Sequence, residues 1–421
     1  MNLKNLYRNN NVKRGVLYSI FSFVNNGISF ILMLILANYL LPQDYGHANL
    51  YNVFVQIVSI IIALGTNGYI SAAYFQKSRE EIIDIITVVF STIFAVLFFV
   101  SILIIIFPSI FSGLTGIPVF FLWLGLLVSY FQAFINITLD LWRLEEKPIS
   151  YGIFSVSTAT LNFIITLILI VYMNYGWTGR VYAQLAVSAI FFVVSLYAMV
   201  RKGYIVIKLP RKSIIHETLL FGLPLVPHTI SFWLKQGMDR YIINHFYEAA
   251  DVGLYSFALN FAAIIGIIGT AFNANNSVYI YKNLANGYAA AKSSLDKVAK
   301  VMVFLFSGLT FCVFAGTYIF IPIILPQYSG STVFLLPLCL GALFQCIYLL
   351  YVNYLFFYKQ TKRLMYVTFT TGILQCILSM WLTRYSAILT AYISASVSLI
   401  TMFAVYILSR NILDKVSESE V

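Results

Sequence analysis

The sequence predicts an all-α integral membrane protein with twelve transmembrane helices in two six-helix bundles around a central cavity. The chain has 421 residues, of which 61% are hydrophobic and only 10% are charged, whereas about a quarter of the residues in soluble domains are charged. Apolar runs of about 20 residues, long enough to cross a bilayer, recur along the whole chain. Lys and Arg concentrate in alternate segments between these runs. A polytopic membrane protein is therefore expected.

The apolar runs place the helices. Each run is bounded by polar or charged residues, and its length matches a single crossing of the membrane. The predicted spans are residues 14–40, 46–74, 83–107, 117–142, 150–173, 178–200, 217–246, 251–281, 298–325, 332–358, 363–383 and 386–409.

The positive charges give the orientation. With the N-terminus inside, the inner segments carry 22 Lys and Arg residues and the outer loops carry only Arg180 and Arg384. Lys235 and Arg240 lie within a span and complete the total of 26. Such a bias marks cytoplasmic loops, so both termini are predicted to be cytoplasmic. The formal net charge of +11 is explained in the same way, and nucleic acid is not an expected partner.

The longest segment between spans divides the chain. We predict an N-terminal bundle at 1–200, a cytoplasmic linker at 201–216, a C-terminal bundle at 217–412 and a polar cytoplasmic tail at 413–421. Because each bundle has an even number of helices, both enter from the same side, related by an axis along the membrane normal. A weak repeat supports this division, since Asp44 and Gly46 correspond to Asp251 and Gly253 at a shift of 207 positions.

Several classes of site have no support in the sequence. No G-x-x-x-x-G-K-[ST] run is present, so no ATP-binding cassette is predicted. The four cysteines all fall in apolar spans without ligand spacing, and we expect neither a disulfide framework nor a metal site. No outer loop carries the clustered acidic or His residues of an enzyme. No cofactor is expected beyond a coupling ion, H+ or Na+.

Polar side chains recur every three or four positions within six of the spans, which places them on one face of each helix. One interpretation is adhesion between helices, since Ser, Thr, Asn and Gln often bond across membrane helices; the other is a water-accessible cavity. The stripes are Tyr18, Ser22, Asn25 and Ser29; Asn49, Asn52, Gln56 and Ser59; Ser129, Gln132, Asn136, Asp140 and Arg143; Ser155, Thr158, Asn162 and Thr166; His228, Ser231, Lys235 and Asp239; Thr368, Thr371, Gln375 and Ser379.

Lys235 and Asp239 are the main candidates for a functional role, because charges inside a span are costly and mark functional sites. They are four residues apart and can pair on a continuous helix, which gives a self-neutralising ion pair as one alternative. In the other, Lys235 contacts an anionic head group while Asp239 holds it or exchanges a proton. Pro224 and Pro227 near the start of this span are either first-turn prolines or a kink.

The other candidates are weaker. His228 is either a proton relay or a satisfied donor between helices, and Arg180 is expected at the outer interface. Arg14 either extends to the cytoplasmic surface or reaches the inner mouth of the cavity. The candidates for substrate binding are Lys235, Asp239, Arg240, Arg14, Asn25, Gln56, Gln132, Asn136, Asp140 and Arg143, and those for proton or ion coupling are Asp239 and His228.

Two motifs carry a family resemblance. ANYLLPQDYGHANLY at 37–51 resembles a segment of polysaccharide exporters, and the longer run at 222–262, which includes MDRYIINHFYEAADVGLYSFA, resembles a second one. The chain thus looks like the polysaccharide transport branch of the multidrug/oligosaccharidyl-lipid/polysaccharide superfamily (the MOP superfamily), which includes Wzx-type flippases of O-antigen and capsule repeat units.

The resemblance implies a MATE-like fold in the bacterial inner membrane. It also implies the flipping of undecaprenyl-diphosphate-linked oligosaccharides, with membrane lipids, a polysaccharide polymerase and a chain-length regulator as further partners. Two alternatives remain. A cation-coupled multidrug antiporter of the same superfamily would need unpaired carboxylates in the membrane, and a membrane polymerase or acyltransferase would need a catalytic outer loop.

Overall fold

The structure, a computed structural model, describes residues 10–206, 210–285 and 287–420, without the side chains at 10–13, 16, 228, 275, 289–290 and 417–420. These ranges are almost entirely helical and contain no strand, which confirms the all-α class. Eleven helices in the described part are long and apolar enough to cross a membrane. The chain is a multi-pass membrane protein.

The chain separates into two compact units, Met1–Ile230 and Ser231–Val421. The boundary lies inside a helix, after the predicted linker at 201–216. The first unit contains α1 (Asn10–Tyr39), α2 (Pro42–Ala63), α3 (Asn67–Ala73), α4 (Arg79–Ile106), α5 (Pro108–Thr115), α6 (Val119–Leu144), α7 (Pro148–Leu167, continued by a π-helical turn, Ile168–Tyr172), α8 (Gly176–Arg201), α9 (Lys212–Gly222) and a 3₁₀ turn (Leu223–Leu225).

The helix α10 (Val226–Gln236) begins in the first unit and ends in the second. The second unit then contains α11 (Met238–Phe246), α12 (Ala249–Leu284), α13 (Tyr288–Ile324), a 3₁₀ turn (Pro326–Ser331), α14 (Thr332–Phe357), α15 (Thr361–Leu382), a 3₁₀ turn (Thr383–Tyr385) and α16 (Ala387–Glu420).

The seventh predicted span is not a single helix. Residues 217–246 were expected to form one run, but the structure divides this region into α9, a 3₁₀ turn, α10 and α11. Pro224 lies in the 3₁₀ turn and Pro227 in the first turn of α10, positions where the missing amide hydrogen is tolerated. A second interruption falls at Gly237, between α10 and α11. The continuous-helix prediction is wrong here because these residues break the backbone hydrogen-bond ladder.

The two corresponding motifs both begin a helix. Asp44 lies in the first turn of α2, where Pro42 occupies the N-terminal position, and Asp251 lies in the first turn of α12. A carboxylate there is stabilised by the positive end of the helix dipole. Asp251 also accepts the backbone N–H of Glu248 at 3.3 Å and so completes a capping box. The weak repeat thus has a local physical cause in each unit.

Two backbone segments of the first unit touch at glycines. The turn after α2 has positive φ at Leu64 (43°) and Gly65 (67°), and it packs against the end of α9. A Cβ on Gly222 would lie 2.6 Å from the Leu64 carbonyl oxygen, and a Cβ on Gly65 would lie 2.6 Å from the Gly222 carbonyl oxygen. Only glycine permits this approach, since no rotamer change moves a backbone oxygen.

A Gly222→Ala variant should therefore be destabilised by about 1–3 kcal/mol, the usual cost of overpacking. The measurement is the thermal midpoint of the purified protein in detergent. Gly113→Ala is the matched control, because a Cβ at Gly113 meets nothing within 4 Å. Equal midpoints for the two variants would contradict the backbone contact.

Candidate functional site

The candidate site of the second unit surrounds the break at Gly237. Lys235 lies in the last turn of α10 and Asp239 in the first turn of α11. Among the described residues, no carboxylate lies within ion-pair distance of Lys235. Of the two alternatives for Lys235 and Asp239, the self-neutralising ion pair does not form. The helix is interrupted at Gly237 between them, and each side chain bonds to other partners.

Lys235 is held by hydroxyl groups. Its Nζ donates to Thr371 Oγ1 of α15 at 2.8 Å and to Thr401 Oγ1 of α16 at 3.2 Å. Each threonine in turn donates its own proton to a carbonyl four residues earlier, at 2.7 Å and 2.8 Å. Their oxygen lone pairs therefore face Lys235. Neutral acceptors orient the side chain but do not cancel a positive charge, so an anionic group remains its natural counter-ion.

Asp239 is fully enclosed by neutral donors. Its Oδ2 accepts from the Tyr255 hydroxyl at 2.9 Å and from Gln375 Nε2 at 3.0 Å, and its Oδ1 accepts from the Ser379 hydroxyl at 3.5 Å. Gln375 Nε2 also donates to the Lys235 carbonyl at 3.1 Å, so one amide connects both sides of the break. Asp239, Gln375, Ser379 and Tyr255 are all buried, and donors of this kind stabilise a carboxylate that has left water.

The stripe predicted in the eleventh span supplies most of these contacts. Thr371, Gln375 and Ser379 all face Lys235 or Asp239, so the polar face of α15 meets the charged segment rather than lipid. Sequence reasoning missed Tyr255 and Thr401. Tyr255 ends the D-x-G-x-Y motif of α12, which was a usable signal, and Thr401 follows Ser394 and Ser398 at helical spacing, a polar pattern that was not used.

Arg240 also donates hydrogen bonds to groups outside this cluster of partners. Its Nε donates to Ser256 Oγ at 3.0 Å and its NH1 donates to the Gln236 carbonyl at 2.7 Å. It thus caps the end of α10 and connects it to α12. The imidazole of His228 lies outside the described side chains, so its predicted coupling role remains a prediction.

The candidates of the first unit form smaller groups. Arg14 forms an ion pair with Glu146, and Arg143 pairs with Asp140 at 2.7 Å. The structure thus gives Arg14 and Arg143, the two first-unit arginines of the predicted binding set, an acidic partner. The four neutral candidates of this unit are accessible: Gln56 and Asn136 are exposed, and Asn25 and Gln132 are half-buried.

Arg180 has partners that sequence reasoning did not find. Its NH1 donates to Asn162 and, at 3.0 Å, to Thr166 of α7, while its predicted position at the outer interface remains a prediction. Both partners belong to the stripe predicted in the fifth span, so the signal was present on the neighbouring helix. Among the described residues no carboxylate pairs with Arg180. Arg180 in the first unit and Lys235 in the second thus each donate to neutral polar side chains of neighbouring helices.

No group of three or more His, Cys, Asp or Glu side chains in the described part converges in a way that could hold a metal ion. The chemistry available at the site is therefore that of hydrogen bonding and charge: a cation on hydroxyls beside an enclosed carboxylate.

Comparison with known proteins assigns the family. The profile of the family described as "Polysaccharide biosynthesis protein" matches residues 12–275, which is more than half of the chain. The chain belongs to this family. Among its relatives is a product of the Lsg locus of Haemophilus influenzae, 27% identical over 360 residues and covering 83% of this chain and 86% of the relative. An uncharacterized membrane protein of the same organism is 22% identical over 366 residues, 84% and 85% of the two chains.

Solved structures show the fold of this family member. The lipid II flippase MurJ, in an inward closed conformation, superposes with a TM-score of 0.74 at 15% identity, over 94% of this chain and 87% of MurJ. An inward-facing multidrug resistance MATE family transporter of the MOP superfamily superposes with a TM-score of 0.70 at 13% identity, over 96% of both chains. The predicted polysaccharide family and the predicted MATE-like fold are confirmed.

Proposed function

We propose that this protein is a flippase that moves undecaprenyl-diphosphate-linked oligosaccharide repeat units from the cytoplasmic to the periplasmic leaflet by alternating access. The observation that carries the proposal is Lys235, a cation near the end of an apolar helix that is held by Thr371 and Thr401 and has no acidic partner among the described residues. A membrane-embedded cation in this state is suited to bind an anionic head group. Membership of a polysaccharide biosynthesis family supports an oligosaccharide as the cargo.

The sugar part of the substrate needs polar contacts in place of water. A hydroxyl that enters hydrocarbon without a hydrogen bond costs several kcal/mol, roughly 2–7, so the path must offer donors and acceptors. In this proposal Gln56, Gln132 and Asn136 supply them, together with Asn25, whose buried Oδ1 has no hydrogen-bond partner. Arg14, Asp140, Arg143 and Arg240 form the charged margins of this path.

The fully enclosed carboxylate of Asp239 is the proposed coupling group. Gln375 donates to both Asp239 and the Lys235 carbonyl. A proton or Na+ that binds at Asp239 would therefore alter the hydrogen bonding of the backbone at Lys235. His228 is proposed as a second group in proton transfer. We place the protein in the bacterial inner membrane with both termini in the cytoplasm, where a polysaccharide polymerase and a chain-length regulator would receive its product.

The test is a strain that lacks the gene. We expect loss of surface polysaccharide and accumulation of lipid-linked single repeat units that a periplasmic probe cannot reach, both restored by the wild-type gene. Repeat units that reach the outer face but stay unpolymerised would indicate a polymerase instead. Unchanged polysaccharide with increased drug susceptibility would overturn the proposal in favour of a multidrug antiporter.

A further inference from the structure

The first unit contains a cavity of about 410 Å³ at the ends of its helices. Tyr74 follows α3, Arg79 begins α4, Glu145 follows α6 and Arg201 ends α8, so chain segments far apart in sequence meet here. All of them lie on the side that the charge distribution predicts to be cytoplasmic. The volume falls within the range of small-molecule sites, roughly 300–1,000 Å³. None of the residues proposed above for substrate transport lines it.

The floor of the cavity is the carboxylate of Glu145, whose two oxygens both accept hydrogen bonds. Glu145 accepts hydrogen bonds from Lys147 at 2.8 Å, from the Tyr204 hydroxyl at 2.9 Å and from Lys202. Burial would raise the pKa of Glu145, but these hydrogen bonds outweigh it and hold the pKa of the carboxyl below its usual range. Tyr204 also bonds the Tyr74 hydroxyl at 3.2 Å. Since every donor converges on one oxygen pair, the floor is a fixed structure that stays anionic at neutral pH.

The cations around this floor exceed its negative charge. Arg79, Lys147, Arg201 and Lys202 line the cavity, and Glu145 is its only acidic residue among the lining side chains that the structure describes. The guanidinium of Arg79 is positioned 5.6 Å above the Tyr204 ring and has no acidic partner in the described part. Arg201 is exposed and makes no hydrogen bond or ion pair with any described residue. Two guanidinium groups are thus left without a counter-ion.

A cytoplasmic loop is expected to be basic, but that rule explains the number of cations and not their arrangement. Basic side chains that serve only orientation repel one another and would spread into solvent. Here Arg79 is held by a ring and a backbone carbonyl, and Lys147 and Lys202 are held by one carboxylate. Like charges held close together in a concave site lower the free energy of a bound anion.

We propose that this cavity binds a phosphate or diphosphate group, with Arg79 and Arg201 as its principal ligands. Arginine forks match the oxygens of phosphate in paired hydrogen bonds, and the two arginines come from different helix ends. The phosphate comes either from the head group of an anionic phospholipid or from a soluble phosphorylated compound. This site is separate from the cluster around Lys235 and does not depend on the proposed flippase activity.

The first arm of the test uses the full-length protein in detergent titrated with pyrophosphate. Saturable binding is expected, weakened about tenfold or more in Arg201→Ala, since the variant removes a charge-assisted hydrogen-bond donor to the phosphate. Because the exposed Arg201 side chain makes no hydrogen bond or ion pair with another described residue, the variant should keep the wild-type thermal midpoint. Arg363→Ala is the matched control: it removes an exposed cation from the same predicted side of the second unit and should bind as the wild type does.

The second arm uses nanodiscs and native mass spectrometry to count bound phosphatidylglycerol against phosphatidylcholine. Retention of phosphatidylglycerol that is lost in Arg201→Ala identifies a lipid as the source, and pyrophosphate binding without such retention identifies a soluble compound. Glu145→Gln tests whether the site attracts anions by its charge. The variant removes the negative charge of Glu145 and should tighten anion binding by about threefold. The proposal is overturned if neither probe binds, or if Arg201→Ala and Arg363→Ala behave alike with both probes.

Discussion

A Lys235→Ala variant is expected to reduce export of surface polysaccharide by about tenfold or more while the protein remains folded in the membrane. The reason is that Lys235 is the cation that Thr371 and Thr401 orient without neutralising, and a hydrogen bond to a charged group contributes about 1.5–3 kcal/mol. Export would be measured as surface polymer per cell in the deletion strain, complemented at matched protein levels. Lys235→Arg should retain part of the activity, because it keeps the charge but not the point geometry of an ammonium.

Lys362→Ala serves as the control for this prediction. Lys362 is an exposed cation at the start of α15 in the same unit, so a general effect of lost positive charge would appear there equally. Normal export by Lys235→Ala would remove Lys235 from the mechanism, and an equal loss in both variants would show that the position of the charge does not matter.

An Asp239→Ala variant is expected to lose about 2–4 kcal/mol of stability along with export. The substitution leaves the donors of Tyr255, Gln375 and Ser379 buried without an acceptor, and each unsatisfied group costs about 1–3 kcal/mol. The thermal midpoint in detergent measures the first effect and the complementation assay measures the second. Asp239→Asn should fall between wild type and Asp239→Ala, since an amide keeps one acceptor oxygen.

The comparison for Asp239 is Asp296→Ala. Asp296 accepts from Arg410 at 2.9 Å in a half-exposed ion pair, and such pairs contribute about 0–1 kcal/mol. A stability loss at Asp239 no greater than at Asp296 would mean that the enclosed hydrogen-bond network does not form in the membrane.

The composition and periodicity of the sequence predicted most of the architecture, because hydropathy responds directly to the bilayer. The polar face of α15 was predicted in the same way and is confirmed by the contacts of Thr371 and Gln375. The predicted continuity of the seventh span was wrong, although Pro224 and Gly237 stand in the sequence where the helix is interrupted.

The partners of the charged residues could not be predicted from one helix at a time. Lys235 and Asp239 satisfy the spacing of an ion pair, yet three other helices contribute their actual partners, from Tyr255 of α12 to Thr401 of α16. Periodicity fixes the face on which a side chain lies, whereas the helix that meets this face is decided by tertiary packing. The same limit explains why the partners of Arg180, Asn162 and Thr166 on α7, were not predicted.

The interruption at Gly237 also has a mechanical consequence. It exposes backbone carbonyls that hydrocarbon cannot hydrate, and side chains replace the missing bonds: Gln375 of α15 caps the Lys235 carbonyl and Arg240 caps that of Gln236. Any sliding of α15 along α10 and α11 would break these caps together with the bonds to Asp239. The hydrogen bonds at the interruption therefore oppose any displacement of α15 relative to Lys235 and Asp239.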